Sequence, residues 1–280
     1  MQRVKIGFVG EGWGAVVAIK SLQQYFDIEC FSSDENVIKE LIGDYNLIYS
    51  FEEFKSEMII CAGYKPLIQQ IFVLKHQIIN IHYSLLPSYR GLHSNAWAIM
   101  NGEIYLGLTI HLINEFIDDG PILHQKKFFN DQISSATYYM EIMNFYILEN
   151  LGRVIYQYSK GDLIPEEQDK NNASWVGKRG LEHNLINFNK GFEYCKRLFR
   201  VLQHPYPYPQ IKYKDQFYTV AKIKFHESKI ETDLSRILNI DEQGIWVKIL
   251  DGYIVLDEIR DMSGNLIKNK IFKIGNYLND

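Results

Sequence analysis

Short apolar runs recur through the first third of the chain at residues 4–9, 28–31, 58–62 and 78–82, with helix-like patterns between them at 15–25, 37–42 and 67–73. Each run is too short for a helix that must bury itself, and turn residues separate it from the next element. Such runs are buried strands, and their alternation with helices predicts an α/β fold built on a doubly wound, mostly parallel, Rossmann-like sheet. Residues 10–14 read as a turn between the first strand and first helix. The pattern continues with a helix at 94–100, strands at 108–113 and 122–129 around the loop Asp118-Asp119-Gly120-Pro121, and a long helix at 135–158. After Gly161 the texture becomes polar and irregular through 180. A further helix at 190–202 ends in His204-Pro205-Tyr206-Pro207-Tyr208-Pro209, and from Gln216 the pattern is strands and turns, with a hairpin turn near Asp251-Gly252. Two domains are expected: residues 1–189, and a small β-rich, OB-like domain at 190–280.

Composition narrows the function classes. With 280 residues, 46% hydrophobic and 23% charged, the chain has the make-up of a soluble globular protein. Its formal net charge of -4 gives no global electrostatic case for nucleic acid. The three cysteines, Cys30, Cys61 and Cys195, are far apart and form no metal spacing or disulfide framework. The N-terminal run reads as a first strand and not a signal peptide, and no apolar stretch is long enough to span a membrane. A cytoplasmic protein is expected.

Two stretches carry chemistry. GEGWGA at 10–15 follows a strand and opens a helix, so Gly10, Gly12 and Ala15 fit the G-x-G-x-x-A form of a dinucleotide fingerprint, with Asp34 about 20 residues further on. A tight glycine turn in any doubly wound sheet reads the same way, and Trp13 is bulky where a cofactor must come close. INIHYSLLPSYRG at 79–91 is the other. Strand periodicity puts Asn80, His82 and Ser84 on one face and Ile79 and Ile81 on the other. Polar groups presented where a strand runs out are where open α/β sheets place ligands; a strand end with three satisfied polar residues is the plainer reading.

Together with residues 92–125, the second stretch resembles a known family. Asn80-x-His82-x-Ser84-Leu85-Leu86-Pro87-x-Tyr89-Arg90-Gly91 looks like the signature of the folate-dependent formyltransferases, and IDDG supplies an acidic residue, Asp118, in the loop after the next strand. The resemblance spans roughly residues 58–130. It implies transfer of a formyl group from 10-formyl-tetrahydrofolate to a primary amine without a metal ion. Asn80 would donate to the developing oxyanion, His82 would donate to that oxygen or accept the amine proton, and Asp118 would orient His82 and raise its pKa. The folate would lie against Tyr64, Lys65 and Pro66 on one side and Asn114, Glu115, Phe116 and Ile117 on the other.

The segment 171–209, closing on HPYPYP, resembles the nucleotide-sugar members of the family, and HPYPYPQ departs from their HPYPGA-type ending. The implied acceptor is a nucleotide-linked amino-dideoxyhexose, dTDP-linked in most such enzymes, used for O-antigen or another surface glycan, with a homodimer expected. Ser84 and Arg90 are candidates for supporting the loop or touching the acceptor. Tyr89 and Trp97 are candidates for stacking on its base, although core packing is the commoner fate of such residues. Lys178 and Arg179 are candidates for its diphosphate, with a solvated basic pair the alternative. A methionyl-tRNA formyltransferase-like enzyme and a nicotinamide oxidoreductase resting on GEGWGA stay open.

Overall fold

The computed structural model describes residues 3–43, 45–204, 206–268 and 271–279. Pro205, expected within the helix-ending run, lies outside them. The chain forms two compact units: one of residues 1–98, 104–130 and 138–178, the other of 99–103, 131–137 and 179–280.

The first unit is built on a seven-stranded sheet. In chain order its elements are β1 (Lys5–Gly10), α1 (Gly12–Leu22), β2 (Asp27–Phe31), α2 (Glu35–Lys39), β3 (Tyr45–Leu47), β4 (Met58–Ala62), α3 (Gln70–Lys75), β5 (Gln77–His82), the two-residue β6 (Arg90–Gly91), α4 (Ser94–Asn101), β7 (Tyr105–Leu112), β8 (Ile122–Phe129), α5 (Ala136–Ser159) and the two-residue β9 (Trp175–Val176). The sheet order is β3-β2-β1-β4-β5-β7-β8. It is parallel from β3 to β5, and antiparallel where β7 joins β5 and β8 joins β7.

Period-two burial explains the layers. Ile6, Phe8, Ile60, Ile79 and Ile81 enter one apolar cluster with α1 and α5, while Val9, Ile59, Cys61 and Ile78 enter another with Phe51, Phe54 and Phe72. Both faces of the central strands are therefore covered, as parallel sheets require.

The glycine-rich turn differs from expectation in that α1 already begins at Gly12. The Asp34 carboxylate accepts its amide hydrogen at 2.8 Å, placing an anion at the helix start. Two of the glycines answer to close packing. A Cβ on Gly10 would overlap the Ala62 carbonyl oxygen, and one on Gly14 would overlap the Tyr83 hydroxyl.

The second unit holds α6 (Phe192–Val201) and a five-stranded antiparallel sheet. Its strands β10 (Gln210–Tyr213), β11 (Gln216–Glu227), β12 (Ile237–Asp241), β13 (Gly244–Ile249) and β14 (Gly252–Arg260) lie in the order β10-β11-β14-β13-β12. The hairpin expected at Asp251-Gly252 is the β13–β14 pair. Among the described residues no helix is long and apolar enough to cross a membrane, and the three cysteines are buried free thiols.

Candidate active site

Strand register assembles the site. On β5, Ile79 and Ile81 are buried beneath α1 and α5, so Asn80 and His82 face the opposite side, at the carboxyl end of a parallel strand. The antiparallel partner β7 sets His111 opposite Asn80 and Thr109 opposite His82. Between Ile110 and His111 the register of β7 against β8 slips by one, a bulge of the kind that redirects side chains beside functional sites. The loop between these strands then returns Asp118.

Four polar side chains meet here. The His82 Nε2–H donates to the Tyr89 carbonyl at 2.9 Å, which leaves Nδ1 as the basic nitrogen, 3.4 Å from Asp118 Oδ2. The His111 Nδ1–H donates to the Leu112 carbonyl at 2.8 Å, so its Nε2 accepts from the Asn80 amide at 3.2 Å. The Asn80 Nδ2 group also lies 3.4 Å from Asp118 Oδ1. The Gly91 amide donates to Asp118 Oδ2 at 2.8 Å. A Cβ on Gly91, whose φ is +107°, would overlap the Val176 carbonyl oxygen across the β6–β9 ladder.

Electrostatics sets the protonation states. Burial works against ionisation of Asp118, yet the imidazoles beside it, with His111 Nε2 at 3.5 Å from Oδ1, and the Gly91 amide together hold its carboxyl at about 2. His82 moves the other way from expectation. Burial lowers its pKa and outweighs the raising effect of Asp118 and the Tyr89 carbonyl, with His111 lowering it further. Near neutral pH the pair is an ionised carboxylate beside a neutral imidazole, a base with an anion ready to stabilise its protonated form.

The other expected residues fall into distinct places. Ser84 is buried, with its hydroxyl donated to the Ser88 carbonyl at 2.7 Å. Tyr89 lends its main chain to His82, at a φ of +61°. Arg90 is buried and ion-paired with Asp119 at 2.6 Å. Trp97 donates from its indole to the Gly177 carbonyl at 2.8 Å. The Tyr64 ring packs against Phe31 and Phe51, while Lys65, Pro66 and Lys178 are exposed. Asn114 donates to Asp119 at 3.2 Å. Glu115, Phe116 and Ile117, together with Arg90, Asp119, Lys170, Ala173 and Trp175, line a cleft of about 510 Å³. Arg179 lies in the second unit, half-buried, and donates to the His183 carbonyl at 3.0 Å. A larger cleft, about 920 Å³, opens by Lys5, Met58 and Gln77 at the amino ends of β1, β4 and β5, the end of the sheet where ligands of doubly wound folds do not bind.

Sequence reasoning missed His111, Asp119, Gln168 and Trp175. His111 sits in a strand that reads as ordinary alternation; only pairing with Asn80 reveals it. Among the described residues no group of three or more His, Cys, Asp or Glu side chains is arranged to hold a metal ion.

A Rossmann-like sheet with an Asn-x-His pair at a strand end and an aspartate from the following loop defines a group-transfer enzyme of the folate-dependent type. The chain belongs to the formyl transferase family: residues 18–142 match the formyl transferase model, and residues 181–276 match the formyl transferase C-terminal domain. Among curated relatives it is 27% identical to the methionyl-tRNA formyltransferase of Clostridium acetobutylicum, covering 79% of this chain and 72% of that one. It is also 27% identical to that of Borrelia duttonii, over 89% and 81%. The fold is shared with the Helicobacter canadensis N-formyltransferase solved with folinic acid and dTDP-3-aminofucose (TM-score 0.66, 18% identity, 92% and 99% covered). It is shared too with HypX from Aquifex aeolicus (TM-score 0.65, 17% identity, 93% of this chain), of which the chain spans 46% of the length.

Proposed function

We infer that the protein transfers the formyl group of 10-formyl-tetrahydrofolate to a primary amine of a nucleotide-linked amino-dideoxyhexose. The observation that carries formyl transfer is the cluster of buried His82 with half-buried Asn80 and Asp118, in which a neutral imidazole nitrogen faces an ionised carboxylate at 3.4 Å. When bound, the folate supplies an acyl carbon that an amine can attack. His82 Nδ1 would take the amine proton, Asp118 would stabilise the imidazolium that results, and that proton would be passed on to the folate nitrogen as its bond to the formyl carbon breaks. Asn80 spends its amide hydrogens on His111 and, at the longer 3.4 Å, on Asp118. Redirecting the second one to the formyl oxygen exchanges a long contact for a bond to the oxyanion as it develops in a partly buried site. Phe116 and Ile117 give the cleft beside Asp118 apolar walls that suit a planar heterocycle, with Tyr64, Lys65 and Pro66 proposed as its further contacts.

The acceptor reading rests on the net charge of -4, which disfavours a long polyanion, and on the resemblance of 171–209 to sugar enzymes. Ser84, Tyr89, Arg90, Trp97, Lys178 and Arg179 are the proposed acceptor-side residues, several of them through backbone or packing. A cytoplasmic homodimer serving surface-glycan synthesis completes the reading. One observation favours a second acceptor, methionyl-tRNA: curated relatives that match across most of the chain carry that name. The test incubates the protein and 10-formyl-tetrahydrofolate with dTDP-, GDP- and UDP-linked amino sugars and, separately, with methionyl-tRNA. Mass gain of one formyl group on a sugar supports the first reading. Formylation of methionyl-tRNA alone replaces it, and no formylation of any amine overturns formyl transfer itself.

A further inference from the structure

The loop that carries Asp118 is held from a part of the chain that reads as a mere connection. Gln168, in the polar stretch between α5 and β9, is buried and spends its amide on this loop and on Arg90. Its Nε2 group donates to the carbonyl of Asp118 at 2.8 Å and to that of Gly120 at 2.7 Å, and its Oε1 accepts from Arg90 Nη2 at 2.7 Å. Arg90 reaches on through Nη1 to Asp119 at 2.6 Å, and Asp119 accepts from Asn114 at 3.2 Å. Four side chains thus tie both ends of the 114–120 segment together. Inside it Asp118 has a φ of +51°, left-handed backbone at a residue with a Cβ. Left-handed backbone is uncommon for a residue with a Cβ, though aspartate tolerates it better than most, and the ties on either side hold it there.

We propose that Gln168, acting with Arg90 and Asp119, is a positioning residue that fixes the main chain at Asp118 so that its carboxylate meets His82 Nδ1. The inference rests on the reading of Asp118 as the catalytic partner of His82. An amide is required at 168: it must donate twice to carbonyls and accept once from a guanidinium, which a carboxylate or an apolar side chain cannot do together. A small displacement of a catalytic group costs rate steeply, and here the displacement would be of a main chain and not of a flexible side chain.

A role in stability alone would leave the titration of His82 unchanged, and that separates the two. The ionisable groups facing His82 are Asp118, which raises its pKa, and His111, which lowers it. In Gln168→Met the carboxylate loses its anchor and moves away from Nδ1, so the His82 imidazole, followed by NMR, titrates at lower pH than in the parent. Turnover falls by at least about tenfold with KM for the folate changed less than about threefold. Gln168→Glu is the second variant, should the methionine variant fail to fold. It keeps the volume and the tie to Arg90 but turns an oxygen toward two carbonyls. Its loss of kcat should shrink as acid protonates the new carboxyl and restores a donor. Asp118→Asn is measured alongside. If it retains turnover, the catalytic reading of Asp118 fails. If it loses turnover while folded Gln168→Met keeps the parent's kcat and His82 titration, or folded Gln168→Glu keeps the parent's kcat across the pH range, the positioning inference is overturned.

Discussion

Asp118→Asn isolates the charge at the centre of the site. Asparagine is nearly the same size and, like aspartate, tolerates left-handed backbone, so the φ of +51° need not change. The carboxyl is held at about 2 against an ordinary 3.8, and at about 1.4 kcal/mol per pKa unit this favours the folded protein by about 2 kcal/mol near neutral pH. Because the folded pKa is the depressed one, the contribution is complete well above 3.8 and is lost as pH falls through the folded value. About 1 kcal/mol of it is gone by about pH 3. The variant lacks it at every pH. Urea unfolding of both proteins, stepped from about pH 6 towards about pH 3, should therefore show the variant less stable at the upper end, with the gap narrowing by about 1 kcal/mol towards acid. Turnover at about pH 7 should fall at least about a hundredfold, the usual scale for a group in proton transfer. A stability gap that is constant or widens with acid would refute the electrostatic account of this carboxylate.

The same geometry sets three further outcomes. Once the acceptor amine's own titration, measured on the free substrate, is factored out, the enzyme's acidic limb of kcat/KM should have its midpoint below the 6.5 of an ordinary imidazole, because burial disfavours protonated His82 and the base must start neutral; an enzyme midpoint above that value contradicts the assignment. His111→Phe removes the acceptor for the Asn80 amide and should cost roughly 1–3 kcal/mol of stability and at least about tenfold in turnover, measured by urea unfolding and steady-state kinetics. Gly91→Ala puts a Cβ against the Val176 carbonyl at a φ of +107°, so unfolding should show a loss of about 1–3 kcal/mol from the backbone alone. Turnover should fall as well, since the displaced amide is a donor to Asp118; unchanged stability would mean the β6–β9 ladder is not maintained in solution.

The sequence by itself determined the sheet's central strands and the face that Asn80 and His82 share, while Asp118 was legible only through the family resemblance carried by IDDG. Period-two alternation encodes the first two directly, because a strand's side-chain direction depends only on position along it. Strand 58–62, strand 122–129 and the hairpin at Asp251-Gly252 were legible for the same reason. Several elements were not. The edge strand β3 is three exposed residues with no apolar pattern, and β6 and β9 are two-residue strands that exist only through each other. Tertiary structure alone decided that His111 would face Asn80, since that depends on which strand pairs with β5 and in what register. It alone reversed the expected shift of His82, because burial is a property of everything packed around a group and a neighbouring aspartate is only one part of it. It also drew Gln168 from a polar connection onto the Asp118 loop, across 50 residues of chain. Hydrogen bonds at that separation leave no periodic trace in a sequence, so the supporting shell of this site is written in its contacts.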